Sequence, residues 1–179
     1  MFHIDQSLLL VIDVQEKLAS IIHDRDETLR HIAALIKAAG FLKIPVLFTE
    51  QAPDKIGPTV ELLTGLAGDA PVISKTAFSC YGSSEFNDVL KRFGRSQIIV
   101  CGIEAHVCVY QTVAGLLERG LAVEVVGDAI SSRRKEHKEI ALERMKQLGA
   151  GVTCAEMIVT ELVGGADHPQ FKNILSLIK

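Results

Sequence analysis

The chain alternates between two kinds of apolar pattern. Ser7–Asp13, Pro45–Glu50, Pro71–Lys75, Ser96–Gly102 and Leu121–Gly127 are short runs that are apolar at most positions. Burial of that kind suits strands covered on both faces, as in a parallel sheet flanked by helices. A further short strand is predicted at Gly151–Thr153. Between these runs lie longer segments with apolar residues three and four apart: Asp26–Phe41, Ser84–Phe93, Val109–Arg119 and Lys135–Leu148. In the first, Leu29, Ile32, Ala33, Ile36 and Ala39 form one stripe, with Asp26 or Glu27 in the opening turn. Ser83 and Ser84 offer a cap to the second, and Gly94 and Gly120 sit where helices should stop. Ala155–Val163 and Pro169–Ile178 close the chain as helical pieces joined by the turn Gly164-Gly165-Ala166-Asp167.

Strand–helix alternation with short links predicts an α/β fold. The expected architecture is three-layer α/β/α, with a parallel, roughly six-stranded Rossmann-like sheet and right-handed crossovers. No repeat or interdomain linker interrupts the pattern, which predicts a single domain over residues 1–179. The longest irregular stretch, Gln51–Pro58, follows the second strand at the carboxyl edge of the sheet, where open α/β sheets bind ligands.

Composition narrows the function classes. A net charge of −3, with 19 basic against 22 acidic residues, provides no basic field for nucleic acid or anionic lipid. Nor does any apolar run reach the roughly 18 residues of a membrane span, and the N-terminus lacks the pattern of a secretory signal. The expectation is a cytoplasmic protein with a small-molecule substrate, binding neither nucleic acid nor membrane. The four cysteines, Cys80, Cys101, Cys108 and Cys154, contain no CxxC pair, which argues against a disulfide framework and structural zinc. The histidines have neither i, i+4 nor HExxH spacing. No cofactor and no metal are expected.

Candidate chemistry collects at the carboxyl ends of three strands. The first delivers Asp13, followed by Gln15; the third delivers Lys75, then Thr76, Phe78 and Ser79; the fourth runs into Gly102-Ile-Glu-Ala-His-Val-Cys108. Taken singly, Asp13 reads as a cap, Lys75 as a solvated loop residue and Cys108 as a core thiol. Together they bring a carboxylate, an ammonium and a thiol to one edge. An ammonium and a helix start near Cys108 would favour its thiolate and make it the most reactive of the four thiols. Cys101, inside a strand, reads as inert, and Cys80, beside Tyr81, as a pocket neighbour.

These residues resemble the isochorismatase-like cysteine hydrolases. The resemblance rests on Asp13-x-Gln15, Lys75-Thr76-x-Phe78-Ser79 and the loop from Gly102 to Cys108-Val109, and it spans Leu8 to about Val163. The wording Glu-Ala-His-Val-Cys is closest to the isochorismatase domain-containing group. It implies a triad in which Cys108 is the nucleophile, Asp13 the general base, and Lys75 the group that holds Asp13 ionised. It also implies a cis peptide at Ile103–Glu104 that aims the backbone N–H groups of Glu104 and Cys108 at a developing oxyanion. Gln15, Gln51, Phe78, Tyr81 and Tyr110 are expected to line the substrate pocket, with His106 structural or at its rim.

Departures from the family pattern refine this expectation. Isochorismatases proper carry another residue at the cysteine position, so Cys108 argues for covalent chemistry on an amide or related C–N bond through a thioester. Nicotinamidase members place an Asp and several His after the second strand to bind a metal. Here that segment reads Thr49-Glu50-Gln51-Ala52-Pro53, with no His between His31 and His106. A nicotinamidase-like amidohydrolase and a non-catalytic scaffold are the alternatives. The apolar C-terminal piece, and the family's habit of assembling, predict a homo-oligomer.

Overall fold

Alternation with a period of two decides which layer each strand residue joins. In β1 (Ser7–Ile12), Leu9 and Val11 pack into one apolar cluster, whereas Leu8, Leu10 and Ile12 pack into another on the opposite face. The same division holds in β4 (Gln97–Ile103), where Ile99 and Cys101 face one way and Ile98 and Val100 the other. Every β1 residue is buried, and all but Ser7 are apolar. This is a computed structural model describing residues 1–178.

Six parallel strands form the sheet in the order β3-β2-β1-β4-β5-β6, with β2 at Val46–Gln51, β3 at Val72–Lys75, β5 at Ala122–Ser131 and β6 at Gly151–Thr153. The predicted three-layer α/β architecture is therefore present. One face carries α2 (Arg25–Leu42), α4 (Glu61–Ala67), α8 (Ala155–Val163) and α9 (Phe171–Leu175). The other carries α5 (Ser84–Phe93), α6 (Tyr110–Glu118) and α7 (Lys135–Gln147). Strand order reverses between β1 and β4, which makes their carboxyl ends the switch point of the sheet.

Local signals mostly act as expected. The Ser83 hydroxyl accepts from the Phe86 N–H at 3.3 Å to cap α5, and Gly94 ends that helix at φ 60°. Where sequence and structure differ, the tertiary setting explains it. β3 alternates exposed and buried residues because it is an edge strand. β5 continues past Gly127 to Ser131 because β4 still supplies a partner, pairing Gly102 with Ile130 after a register shift. The crossover from β2 to β3 uses α4, which Gly65 and the two preceding prolines hide from a periodicity argument. Short helices α1 (Glu16–Ala19) and α3 (Pro53–Ile56) also form, the latter inside the stretch expected to be irregular. The last helical piece is shorter than expected, Phe171–Leu175.

Candidate active site

β1 stops where its backbone turns left-handed. Asp13 has φ 51°, a conformation Asp and Asn tolerate better than other side chains. Its N–H donates to the Thr49 carbonyl at 3.1 Å, so the first residue past β1 is still tied to β2. On the other side, Gly102 pairs with Ile12 at φ 127°. A Cβ there would overlap the Ile12 carbonyl, and only glycine lets β1 and β4 close beside Asp13.

The Asp13 carboxylate is fully buried, and its two oxygens have separate partners. Oδ1 accepts from the Thr49 hydroxyl at 2.7 Å, and Oδ2 accepts from Lys75 Nζ at 2.6 Å. Lys75 is itself only 4% exposed. Its ammonium also donates to Gln51 Oε1 at 2.9 Å and to the carbonyls of Phe78 and Ala77 at 3.2 and 3.3 Å. A buried ion pair is tolerable when further hydrogen bonds satisfy both ions in this way. Lys75 thus fixes the segment that follows its own strand.

Cys108 lies in a π-helical turn, Ala105–Val109, that leads into α6. The Ile103–Glu104 peptide is cis. The buried Cys108 thiol feels the charges of both Asp13 and Lys75, so carboxylate, ammonium and thiol from three strand ends share one neighbourhood. The electrostatics run against the expected thiolate. Burial of the 5% exposed residue pushes its pKa up, the negative charge of Asp13 adds to that, and Lys75 offsets only part.

Other predicted residues fall into different roles. Gln51 contacts the ammonium directly and anchors its amide on the Thr76 carbonyl at 2.7 Å. Phe78 is 55% exposed beside the carbonyl that holds Lys75. Tyr110 is half-buried at the start of α6. Gln15, expected in the pocket, is instead buried as a clamp. Its Oε1 accepts from the Gln51 N–H at 2.8 Å, and its Nε2 donates to the carbonyls of Gln51 and Gly57 at 3.0 and 2.6 Å. With both amide ends committed to backbone, it holds the end of β2 rather than a ligand. Tyr81 is likewise displaced, its ring lying edge-on to Phe86 and beneath Arg119 in a separate cavity.

Glu104 reaches outward to Arg133 Nε at 2.7 Å. His106 contacts Ser132 Oγ at 3.0 Å and lies 4.6 Å from the His137 ring, so it has the structural or rim place expected of it. Thr49 was missed by sequence reasoning, though a lone hydroxyl in the buried run Val-Leu-Phe-Thr was the available signal. Its oxygen also accepts from the Cys80 thiol at 3.7 Å. Among the described residues, no three His, Cys, Asp or Glu side chains converge as metal ligands.

The isochorismatase domain description matches residues 7–157. The chain belongs to the isochorismatase family. Human isochorismatase domain-containing protein 2 is 41% identical over 173 residues, covering 97% of this chain and 83% of that protein. The ribonuclease MAR1 of Caenorhabditis elegans superposes with a TM-score of 0.93 at 44% identity, covering 99% of this chain and 91% of the other. The Escherichia coli YcaC gene product, described as an octameric hydrolase of unknown specificity, superposes with a TM-score of 0.88 at 25% identity, covering 98% and 94%. The isochorismatase fold of this chain is thus a hydrolase scaffold. No helix among the described residues is long and apolar enough to cross a membrane.

The buried thiols make a first prediction about this isochorismatase-family chain. Burial pushes Cys80 up to about 11 and raises Cys101 and Cys108 as well. A folded-state pKa above the unfolded value contributes stability that is present below the unfolded pKa and lost above it. Unfolding free energy should therefore fall between pH 9 and 11, by up to roughly 1.4 kcal/mol per pH unit for each thiol. Cys80→Ala should flatten that fall in urea titrations. An unchanged slope would refute the assignment.

Proposed function

We propose that this chain is a metal-independent cysteine hydrolase acting on a small amide or related C–N bond. The observation that carries the reading is a buried thiol, Cys108, set in the field of a buried carboxylate whose own partners are a hydroxyl and a buried ammonium. Asp13 takes the thiol proton as sulfur attacks the carbonyl carbon. The C–N bond breaks, the amine leaves with the proton from Asp13, and a thioester remains on Cys108. Water then attacks the thioester carbonyl, Asp13 takes its proton, and the acid departs as the proton returns to Cys108.

Lys75 keeps Asp13 in its basic form at the start of each cycle. Because the proton moves within one buried cluster, the cluster keeps its net charge, and no unpaired ion forms in the interior. The backbone N–H groups of Glu104 and Cys108 are the donors proposed for the oxyanion, each worth about 2.7–4 kcal/mol when removed. Gln51, Phe78 and Tyr110 are the proposed substrate contacts. The domain is taken as a single unit, and the octameric E. coli relative supports assembly as a homo-oligomer.

The name of the nematode relative raises a ribonuclease reading, but a chain of net charge −3 has little to hold a polyanion. A panel of small primary amides, assayed for ammonia release alongside single-stranded RNA, separates the two. The expected result is turnover of at least one amide, a transient acyl mass on Cys108, and no turnover by Cys108→Ala. Extended EDTA dialysis should leave the rate unchanged. RNA cleavage that survives Cys108→Ala, with no amide turned over, would overturn the proposal.

A further inference from the structure

Tyr81 was expected to face the substrate, and its actual surroundings define a second cavity. The ring lies flat on α6 at Gly115, where a Cβ would approach Tyr81 Cδ2 to 2.8 Å, so the seat requires glycine. The Arg119 guanidinium lies over the ring, 3.7 Å from its centroid, and Arg119 Nη1 is tethered to the Gly115 carbonyl at 2.9 Å. Beside this stack is a cavity of about 380 Å³ lined by Tyr81, Asn87, Lys91, Arg95, Arg119 and Leu121, among others. Asp13, Lys75 and Cys108 contribute nothing to it.

Two features of that wall call for a ligand. First, Lys91, Arg95 and Arg119 come from α5, the turn before β4 and the end of α6, yet none forms an ion pair within 4.0 Å among the described residues. Their charges converge on one opening, and the acidic neighbours Asp88 and Glu118 do not line it. Second, Tyr81 Oη and Asn87 Oδ1 are buried with no hydrogen-bond partner. Two of the three such atoms among the described residues thus belong to this one cavity, the third being His137 Nδ1. A buried polar group without a partner is costly, and an orphan pair beside a cationic opening is the mark of a site that a polar ligand completes.

We propose that this cavity binds a small phosphate monoester that also carries hydroxyl groups, such as a sugar phosphate. The phosphate lies between Lys91, Arg95 and the free edge of Arg119, where a dianion can take several charge-assisted hydrogen bonds at once. The Tyr81 hydroxyl donates to a phosphate oxygen. Asn87 Nδ2 is already committed to the Tyr81 carbonyl at 3.2 Å, so Asn87 Oδ1 is left to accept, and a ligand hydroxyl satisfies it. Leu90 and Leu121 give the sugar carbons an apolar floor. The cavity is large enough for a pentose phosphate. Lys91 and Arg119 are exposed, so their long side chains are free to swing aside and admit a ligand to the two buried atoms.

Titration calorimetry on the full chain at low salt tests this with ribose 5-phosphate, inorganic phosphate, ribonate and ribose. Saturable one-to-one binding of ribose 5-phosphate is expected, with inorganic phosphate weaker, ribonate weaker still, and ribose silent. Arg119→Gln and Lys91→Gln should each weaken ribose 5-phosphate by roughly tenfold, and added salt should weaken it further. Asn87→Asp should also weaken it, because a carboxylate replaces the acceptor near the phosphate. Both cationic positions are exposed, so their variants should keep the parent melting temperature. Absence of saturation up to about 10 mM, a little above the millimolar range of weak sites, would overturn the proposal. So would equal binding of ribonate, or affinity unchanged in the Arg119→Gln protein. Since the readout is binding at a cavity that Cys108 does not line, failure of the amidase reading leaves it untouched.

Discussion

Lys75→Met is expected to lower the unfolding free energy by about 3–5 kcal/mol, the usual cost of stranding one partner of a buried ion pair. Methionine keeps the length and apolar stem of lysine and removes the charge, so loss of packing contributes little. What remains is the fully buried Asp13 carboxylate with Thr49 as its side-chain donor, and the carbonyls of Ala77 and Phe78 without theirs. Asp13→Asn should be destabilising for the reverse reason, since the ammonium is stranded. Asparagine tolerates the left-handed backbone at φ 51°, so strain does not confuse the comparison. In the double variant both charges are gone, and much of the loss should be recovered. A coupling energy of several kcal/mol in urea melts is the expected outcome. Additive losses would mean that the two groups act separately.

Gly102→Ala is expected to cost about 2–6 kcal/mol, combining overpacking against backbone with a residue forced to a positive φ. The obstruction is the Ile12 main chain, which cannot rotate aside like a side chain tip. Ile12 precedes Asp13, so relief by strand separation would also move the carboxylate away from Cys108. Stability and any Cys108-dependent turnover should therefore fall together. Gly65→Ala is the control. It sits in α4 with open space where its Cβ would go, and should be neutral or stabilising by up to about 1 kcal/mol. A Gly102→Ala protein with a parental urea midpoint would refute the close-approach argument.

The legible part of this chain is the part governed by local pattern. The near-continuous apolar runs of β1 and β4, the cap at Ser83 and the glycine stop at Gly94 are short-range effects, and they placed the sheet and its helices. Asp13, Lys75 and Cys108 were singled out for a different reason: each alone has an ordinary reading, but three strand ends bring them to one edge of the sheet. What escaped was set by neighbours distant in sequence. Gln15 is read as a polar side chain near a pocket until Gln51 and Gly57 claim both ends of its amide. Tyr81 is turned away by its seat on Gly115, more than 30 residues further along. The resting thiolate failed on magnitudes. A nearby ammonium was visible in the sequence, but the depth of burial that outweighs it was not.

The protonated state of Cys108 bears on how the chain endures an oxidising environment. Peroxide attacks thiolates far faster than thiols, and sulfenic acid formation follows thiolate character and exposure. A buried thiol held beside a carboxylate offers neither. In the proposed mechanism the sulfur becomes a strong nucleophile only while its proton is on Asp13, a moment when a bound substrate already occupies the approach. On that reading resting molecules should resist hydrogen peroxide at Cys108, and the half-exposed Cys154 should react first.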